Sequence, residues 1–101
     1  MIVYNITIKV DWSISDDWLA WQQQEHIPEI MSTLLFDHYT MYRLLEQDDE
    51  DGPTFFFQYF TSSPGNYQRY IHEFAPVLAK KAFDKWGQRF VAFHTCMQTV
   101  N

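Results

Sequence analysis

Cysteine is nearly absent from this 101-residue sequence, and no linker or low-complexity tract interrupts it. The single cysteine, Cys96, excludes an internal disulfide framework and a zinc site made of thiolates. It also fits a reducing compartment, so we expect a cytoplasmic protein. A chain of this length usually forms one domain, and we expect a single domain over residues 1–101.

Basic residues and long apolar runs are also scarce. Seven Lys and Arg stand against thirteen Asp and Glu, and the net charge of −6 disfavours a nucleic-acid-binding protein, whose phosphate contacts need a surplus of cations. No apolar run approaches the length of a membrane span, and no basic and then apolar leader is present, so nothing indicates membrane insertion or export. Five of the acids lie within residues 46–51. This run lacks the ligand spacing of an EF-hand, and we interpret it as a solvated hairpin turn.

Apolar and aromatic residues are abundant, at 47% and 19% of the chain, which is enough to build a buried core. Strands are predicted over residues 2–10, about 39–45, 54–61 and 90–100. A first helix is predicted over about 14–33, with a kink at Pro28. Residues 62–65 open a second helix, and Gly87 is a suitable C′ residue just beyond its end. The order βαββαβ predicts an α+β, ferredoxin-like fold, in which two helices cover one face of a four-stranded antiparallel sheet.

The third predicted strand is apolar on both of its faces. One face carries Phe55, Phe57 and Tyr59, and the opposite, helix-free face carries Phe56 and Phe60. Leaving these last two rings in water would forgo roughly 2–3 kcal/mol of burial each. We therefore expect a homodimer in which a second copy of the chain covers the helix-free face of the sheet. The alternative is that the chain's own loops cover these rings.

Short motifs spread over the chain are similar to those of one bacterial family. They are Met1-Ile2-Val3-Tyr4-Asn5, His26-Ile27-Pro28-Glu29, Tyr42-Arg43-Leu44-Leu45, Asp51-Gly52-Pro53-Thr54 and Lys85-Trp86-Gly87. On these motifs the chain resembles the uncharacterised family catalogued as domain of unknown function 4286. The resemblance implies a ferredoxin-like fold of the dimeric α/β-barrel type and implies no established activity. More distantly, a first helix that bears Trp and ends in His-x-Pro-Glu resembles cofactor-independent monooxygenases and ethyl-tert-butyl-ether-degradation-type proteins.

His26 is the candidate catalytic residue. It lies beside the apolar stripe of the first helix, so we expect it at the edge of the helix–sheet interface, where a pocket can open. The pKa of a histidine lies near neutrality, which suits a general base. The alternative is a helix-end histidine that hydrogen-bonds a carbonyl or faces solvent.

Asn5, Thr7, Arg43 and Gln58 are the candidate ligand-binding residues. All four are polar residues on predicted strands, and Gln58 interrupts an aromatic run. An aromatic pocket with a few polar groups suits a planar apolar ligand. The alternative is a polar patch at the dimer interface, where Arg43 pairs with a carboxylate.

The other three histidines give no sign of a metal site or a haem. No two histidines have the i, i+4 spacing of a helical metal site, and His72 falls on the polar face of the second helix. We therefore expect neither a metal nor a cofactor.

Three functions are consistent with these residues. The first is a homodimer that binds a small aromatic or apolar molecule. The second is a cofactor-independent monooxygenase-like or isomerase-like enzyme that acts on a quinol or phenol, with His26 as its base. The third is a structural or interaction protein that uses Trp18 and Trp21 as a docking surface. The alternative for the two indoles is that the kink at Pro28 turns them into the protein's own core.

Overall fold

A computed structural model describes residues 1–100 of the chain. It comprises strand β1 (Ile2–Val10), helix α1 (residues 15–32), strand β2 (His38–Arg43), strand β3 (Thr54–Thr61), helix α2 (residues 64–86) and strand β4 (Phe90–Gln98). All strand pairs are antiparallel, in the order β2-β3-β1-β4. The predicted ferredoxin-like α+β fold is confirmed. None of the helices in the described residues is long and apolar enough to cross a membrane.

The core lies between the sheet and the two helices. Side chains alternate along a strand, so β1 directs one apolar set, which includes Tyr4, Ile6 and Ile8, toward the helices. From α1, Trp18 is 1% exposed and packs on Phe55 of β3, with 5.4 Å between the ring centroids. Trp21 is also buried. The two indoles therefore belong to the core of the chain itself, and the docking hypothesis loses the observation that motivated it.

Both helices contain a wider, π-helical turn just before a proline. In α1, α-helical residues Ser15–Trp21 and Ile27–Ser32 flank the π turn Gln22–His26. In α2, Pro64–Arg69 and Ala75–Trp86 flank Tyr70–Phe74. The prolines are Pro28 and Pro76, and a proline ring collides with the carbonyl four residues earlier in a regular α-helix.

Each π turn avoids this clash because its backbone hydrogen bond joins residues that are five apart in sequence. The Ile27 N–H donates to Gln22 O, and the Ala75 N–H donates to Tyr70 O, so each bond spans five residues instead of four. The kink predicted at Pro28 thus takes the form of one extra residue in the preceding turn. The extra residue also rotates the segment that carries Trp18 relative to the segment that carries Ile30, and both are buried.

The acidic segment folds back against the start of α1. Arg43, at the end of β2, forms an ion pair with Asp49 at 2.9 Å and lies over the ring of Trp12. The indole N–H of Trp12 donates to the carbonyl of Asp49. Gly52 comes so close to strand β1 that an added Cβ would lie 1.7 Å from the Val10 carbonyl oxygen, so only glycine fits there.

Three rows of side chains run across the middle of the helix-free face, and a fourth row, which consists of Thr54, Lys9 and Val91, lies beyond them at one end. The central one of the three, which we call the polar row, consists of Thr40, Gln58, Asn5 and Thr95. The two flanking rows consist of His38, Phe60, Val3 and Met97 on one side, and of Tyr42, Phe56, Thr7 and Phe93 on the other.

Large apolar side chains remain exposed on this face. Phe93 is 66% exposed, and Val91, Tyr42 and Met97 are between 45% and 54% exposed. Phe56 and Phe60 are only partly buried. The expected apolar character of the outer face is therefore present, and loops of the chain do not cover it.

Candidate functional site

A cleft of about 390 Å³ opens between the two helices and the β1–β4 side of the sheet. Its polar side chains come from three tyrosines, two histidines and one cysteine, while the side chain of Thr95 points to the helix-free face. Isoleucine, leucine, alanine and proline side chains complete the wall. None of the lining residues, all of them within the described residues 1–100, is Asp, Glu, Lys or Arg. No phenylalanine lines the cleft either, so its aromatic character comes from tyrosine and histidine.

His26 lines this cleft from the end of the π turn in α1. Its imidazole stacks on the indole of Trp21, with 4.6 Å between the centroids and 26° between the planes. Burial lowers the pKa of His26 to about 4, while the nearby Glu29 and Lys81 act in opposite directions. The ring is therefore neutral at pH 7. The prediction that His26 lies at the edge of the helix–sheet interface agrees with this position, and its catalytic role stays a prediction.

The stacking of Trp21 on His26 depends on the π turn. These residues are five apart in sequence, and positions five apart lie on different faces of a regular α-helix. In a turn closed by a five-residue hydrogen bond they lie one above the other. Trp86 from α2 packs edge-on against Trp21, at 5.8 Å between centroids.

Tyr4 and His94 form a hydrogen-bonded pair on the sheet side of the cleft. The Tyr4 hydroxyl lies 2.7 Å from His94 Nδ1, and the two rings stack with 5.8 Å between centroids. Burial raises the pKa of Tyr4 and lowers the pKa of His94. Both groups are therefore uncharged at neutral pH, and together they present a polar wall without a charge.

Tyr67, Tyr70 and Cys96 complete the polar lining. Burial raises the pKa of Tyr67, and its hydrogen bond with Cys96 adds to that effect. Burial, with a smaller contribution from Tyr4, also raises the pKa of Tyr70. The cleft therefore offers hydroxyl, imidazole and thiol groups that can donate or accept hydrogen bonds, and it offers no ion.

Sequence reasoning missed His94 and the tyrosines of the cleft. The signal for His94 was present, because the alternation of β4 places it on the same face as Phe90 and Ala92, which pack against the core. His72, by contrast, is exposed on α2, as its position on the polar helix face predicted. No group of three metal-ligating side chains comes together anywhere in residues 1–100.

The predicted ligand-binding set does not lie in the cleft. Asn5, Thr7 and Gln58 point to the helix-free face, where Asn5 and Gln58 are directly opposite each other in the β1–β3 register. Arg43 belongs to the other face, because alternation along β2 separates it from Thr40, and its guanidinium is held by Asp49. The expectation that all four residues line one patch is therefore wrong for Arg43.

The polar row has unused hydrogen-bonding capacity. Asn5 is 3% exposed, and its Oδ1 is buried without a hydrogen-bond partner. Thr40 donates its hydroxyl to Gln58 Oε1 at 3.2 Å, which leaves the Gln58 amide NH₂ group without a side-chain acceptor among the described residues. An unpaired buried carbonyl costs about 1–3 kcal/mol.

The family described as Domain of unknown function (DUF4286) matches residues 1–100 of the chain. No curated protein matches it in sequence. Among solved structures, an ethyl tert-butyl ether (ethd) family protein from Bacillus halodurans superposes with a TM-score of 0.71 at 11% identity, over 99% of this chain and 100% of that chain.

Two further solved structures have the same fold. A dimeric ferredoxin-like protein from an uncultured marine organism has a TM-score of 0.68 at 14% identity, with 100% of this chain and 96% of that chain covered. SnoaB, a cofactor-independent oxygenase from Streptomyces nogalater, has a TM-score of 0.64 at 10% identity, with 99% and 93% covered. At these identities the likeness is one of fold.

Proposed function

This chain belongs to the family described as domain of unknown function 4286, and from the geometry of its cleft we propose that it binds a small aromatic or apolar molecule. The observation that carries the proposal is the cleft itself, about 390 Å³ in volume and lined by apolar, tyrosine and histidine side chains. Sites for small molecules have this size and this mixture of apolar walls with a few polar groups.

The electrostatics of the cleft favour an uncharged ligand. No cation lines the cleft to pair with a carboxylate or phosphate, and burial of an unpaired ion is costly. His26 and the Tyr4–His94 pair instead offer single hydrogen bonds from opposite sides, His26 from α1 and the pair from the sheet. A planar ring with one hydroxyl or carbonyl group matches this arrangement.

The two π turns support the same location. The turn in α1 ends at His26, and the turn in α2 begins at Tyr70, so both irregular segments contribute a side chain to the cleft. Single π turns inside α-helices occur frequently at functional sites. Their coincidence with the cleft is an argument independent of its size.

A pair of matched probes tests the proposal. In an NMR titration of the ¹⁵N-labelled protein, 1-naphthol is expected to shift the amide resonances of cleft residues such as Tyr4, His26 and Tyr70. The anion 1-naphthoate has the same ring system and is expected to bind at least about 10-fold more weakly, because its charge finds no partner. Ala79→Phe, which places a ring in the cleft, is expected to abolish the shifts, and His72→Ala on exposed α2 is the control.

Equal affinity for the two probes would contradict the preference for a neutral ligand. If naphthol, phenol and hydroquinone all left the cleft resonances unmoved at millimolar concentration, the binding proposal itself would fail.

A second candidate function is a cofactor-independent oxygenase-like or isomerase-like enzyme, and the position of His26 favours it. A neutral imidazole in the cleft is free to accept a phenolic proton, although its pKa of about 4 makes it a weaker base than free imidazole. SnoaB, which shares this fold, is a cofactor-independent oxygenase. Oxygen consumption with a hydroquinone substrate should then fall at least about 100-fold in His26→Ala and stay unchanged in His72→Ala. Turnover that survives the loss of His26 would remove it as the base.

We also propose that the protein is a homodimer whose subunits meet through the helix-free face of the sheet. The exposed apolar side chains of that face support this, and the marine ferredoxin-like protein with the same fold is dimeric. Phe93→Glu is expected to yield a monomer in sedimentation, because it places a charge in the interface. Phe83→Glu is the matched control, since Phe83 is 55% exposed on the helical side. A monomeric native protein at micromolar concentration would contradict the proposal.

A further inference from the structure

The polar row crosses the middle of the helix-free face, on the two central strands and both edge strands. Thr40, Gln58, Asn5 and Thr95 belong to β2, β3, β1 and β4, in the order in which the strands lie in the sheet. A continuous polar row is unexpected on a face whose neighbouring rows carry Phe56, Phe60 and Phe93.

The row is incomplete in a single chain. Asn5 Oδ1 is buried without a partner, and only one hydrogen bond between side chains of the described residues, from Thr40 to Gln58, lies within the row. Such a buried polar group weakens the isolated fold and is normally paired. Groups of this kind specify one alignment of an interface in coiled coils, where a single buried Asn fixes register at a cost in stability.

The occupant that fits this face is a second copy of the chain. None of the three rows contains Asp, Glu, Lys or Arg. Lys9 lies in the row beyond them and donates to the Asp48 carbonyl, so two copies that meet through the three rows bring no like charges together. Four strands of six to nine residues, spaced about 4.8 Å apart, give a footprint of about 500 Å² per subunit, and side chains that stand off the sheet expose more than this. That approaches the roughly 800 Å² per partner of stable complexes.

The flanking rows alone do not define one alignment. Both are largely apolar, so a second copy displaced by two residues along the strands would still bury aromatic rings. In that displaced arrangement the polar row would lie over an apolar row, and its amides and hydroxyls would lose both water and partners. A two-fold axis near the centre of the sheet instead brings the Asn5–Gln58 pair opposite the same pair of the other copy.

We propose that the polar row fixes the register of the homodimer, whereas the flanking apolar rows supply its affinity. This inference rests on the proposed homodimer. The free amide groups of Asn5 and Gln58 pair with the same row of the second copy, and any other alignment leaves them unpaired.

The test measures the distance between the two subunits in the native protein and in a variant without the row's centre. A spin label is attached at Gln24→Cys, exposed on α1, in a Cys96→Ser background, and pulsed dipolar spectroscopy records the distance between the subunits. The native row is expected to give one narrow distance peak. The double variant Asn5→Leu/Gln58→Met is expected to remain dimeric and to give two or more peaks, or a distribution at least about twice as wide. Thr7→Val is the matched control, because it lies on the same face of β1 but outside the row.

Each result decides one point. A dimer whose double variant keeps the single native peak overturns the inference and leaves the proposed homodimer standing. A double variant whose dissociation constant rises about 100-fold also overturns it, since the row would then supply affinity and not register. A native protein without any distance signal, monomeric in sedimentation, overturns the homodimer and the inference together.

Discussion

The two faces of the sheet differ in how far a single chain completes their hydrogen bonds. Tyr4 and Asn5 are neighbours on β1, are 4% and 3% exposed, and point to opposite faces. The Tyr4 hydroxyl has His94 Nδ1 as a partner, whereas Asn5 Oδ1 has none among the described residues. The degree of burial therefore does not distinguish the faces. Pairing of the buried polar group does distinguish these two positions of β1, although on the helical side the indole N–H of Trp86 is also buried without a partner among the described residues.

The same contrast holds for the aromatic side chains. On the covered face, Trp18 and Phe57 are each 1% exposed, whereas Phe93 on the helix-free face is 66% exposed. The aromatic residues, which make up 19% of the chain, therefore fall into two groups. One part fills the core of the subunit, and the other part forms a surface.

The largest expected effect comes from truncating an aromatic side chain on the covered face. Trp18→Ala should lower the free energy of unfolding by about 3–5 kcal/mol, because it leaves a cavity against Phe55 and Phe57. Phe93→Ala should change it by less than about 0.5 kcal/mol when measured by urea unfolding at concentrations where the chain is monomeric. Similar losses at the two positions would break the contrast between the faces.

A smaller effect is expected from acid, through His26 on the covered face. Its pKa in the folded protein is about 4, below the usual value of about 6.5, so the unfolded chain binds more protons between these limits. Stability is therefore expected to fall by about 2–3 kcal/mol as the pH drops from 6.5 to 4, and the full contribution is present only well above pH 6.5. His26→Gln should remove this part of the pH dependence in urea unfolding, with exposed His72→Gln as the control. An unchanged slope in His26→Gln would contradict the assignment.

The smallest expected changes in the free energy of unfolding come from substitutions at two neighbouring positions of β1, one on each face of the sheet. Tyr4→Phe should cost about 1 kcal/mol, since it removes the hydrogen bond to His94. Asn5→Leu should instead stabilise the chain by about 1 kcal/mol, because it removes a buried oxygen without a partner and replaces it with an apolar group of similar shape. Both are measured by urea unfolding in the Phe93→Glu background, which we expect to be monomeric. A loss at Asn5 as large as the loss at Tyr4 would show that its amide is already paired within one chain.

Local sequence patterns were sufficient for the fold and for the position of His26. Alternation in β1 and β3 identifies which side chains share a face, and the helical stripe beside His26 indicates that this residue lies at the edge of the core. Reading these patterns requires only the spacing of side chains along one strand or one helix. The same alternation puts Asn5, Thr7 and Gln58 on one face of β1 and β3, opposite the core.

What the sequence could not predict depends on contacts between distant segments. The alternation of β4 indicates the face of His94, but its hydrogen bond with Tyr4, 90 residues earlier, depends on the register of β4 against β1. Arg43 was assigned to the wrong group because the β2–β3 register sets which face of β2 is continuous with Gln58, and the alternation of β2 alone does not supply that register. The π turns also escaped prediction, since a proline indicates a kink without saying how the preceding turn adjusts.

The π turn of α1 has a consequence for insertions and deletions. The π turn amounts to one residue added to an otherwise regular α-helix. Deleting Gln23 or Gln24 would therefore convert α1 into a continuous α-helix with about 3.6 residues per turn. Each residue of an α-helix contributes about 100° of rotation, and the two halves of α1 would turn by that angle relative to each other. Trp18 and Ile30 could then no longer both face the sheet, and Trp21 would leave the imidazole of His26. A single-codon deletion at these two exposed glutamines should therefore be as disruptive as a substitution in the core.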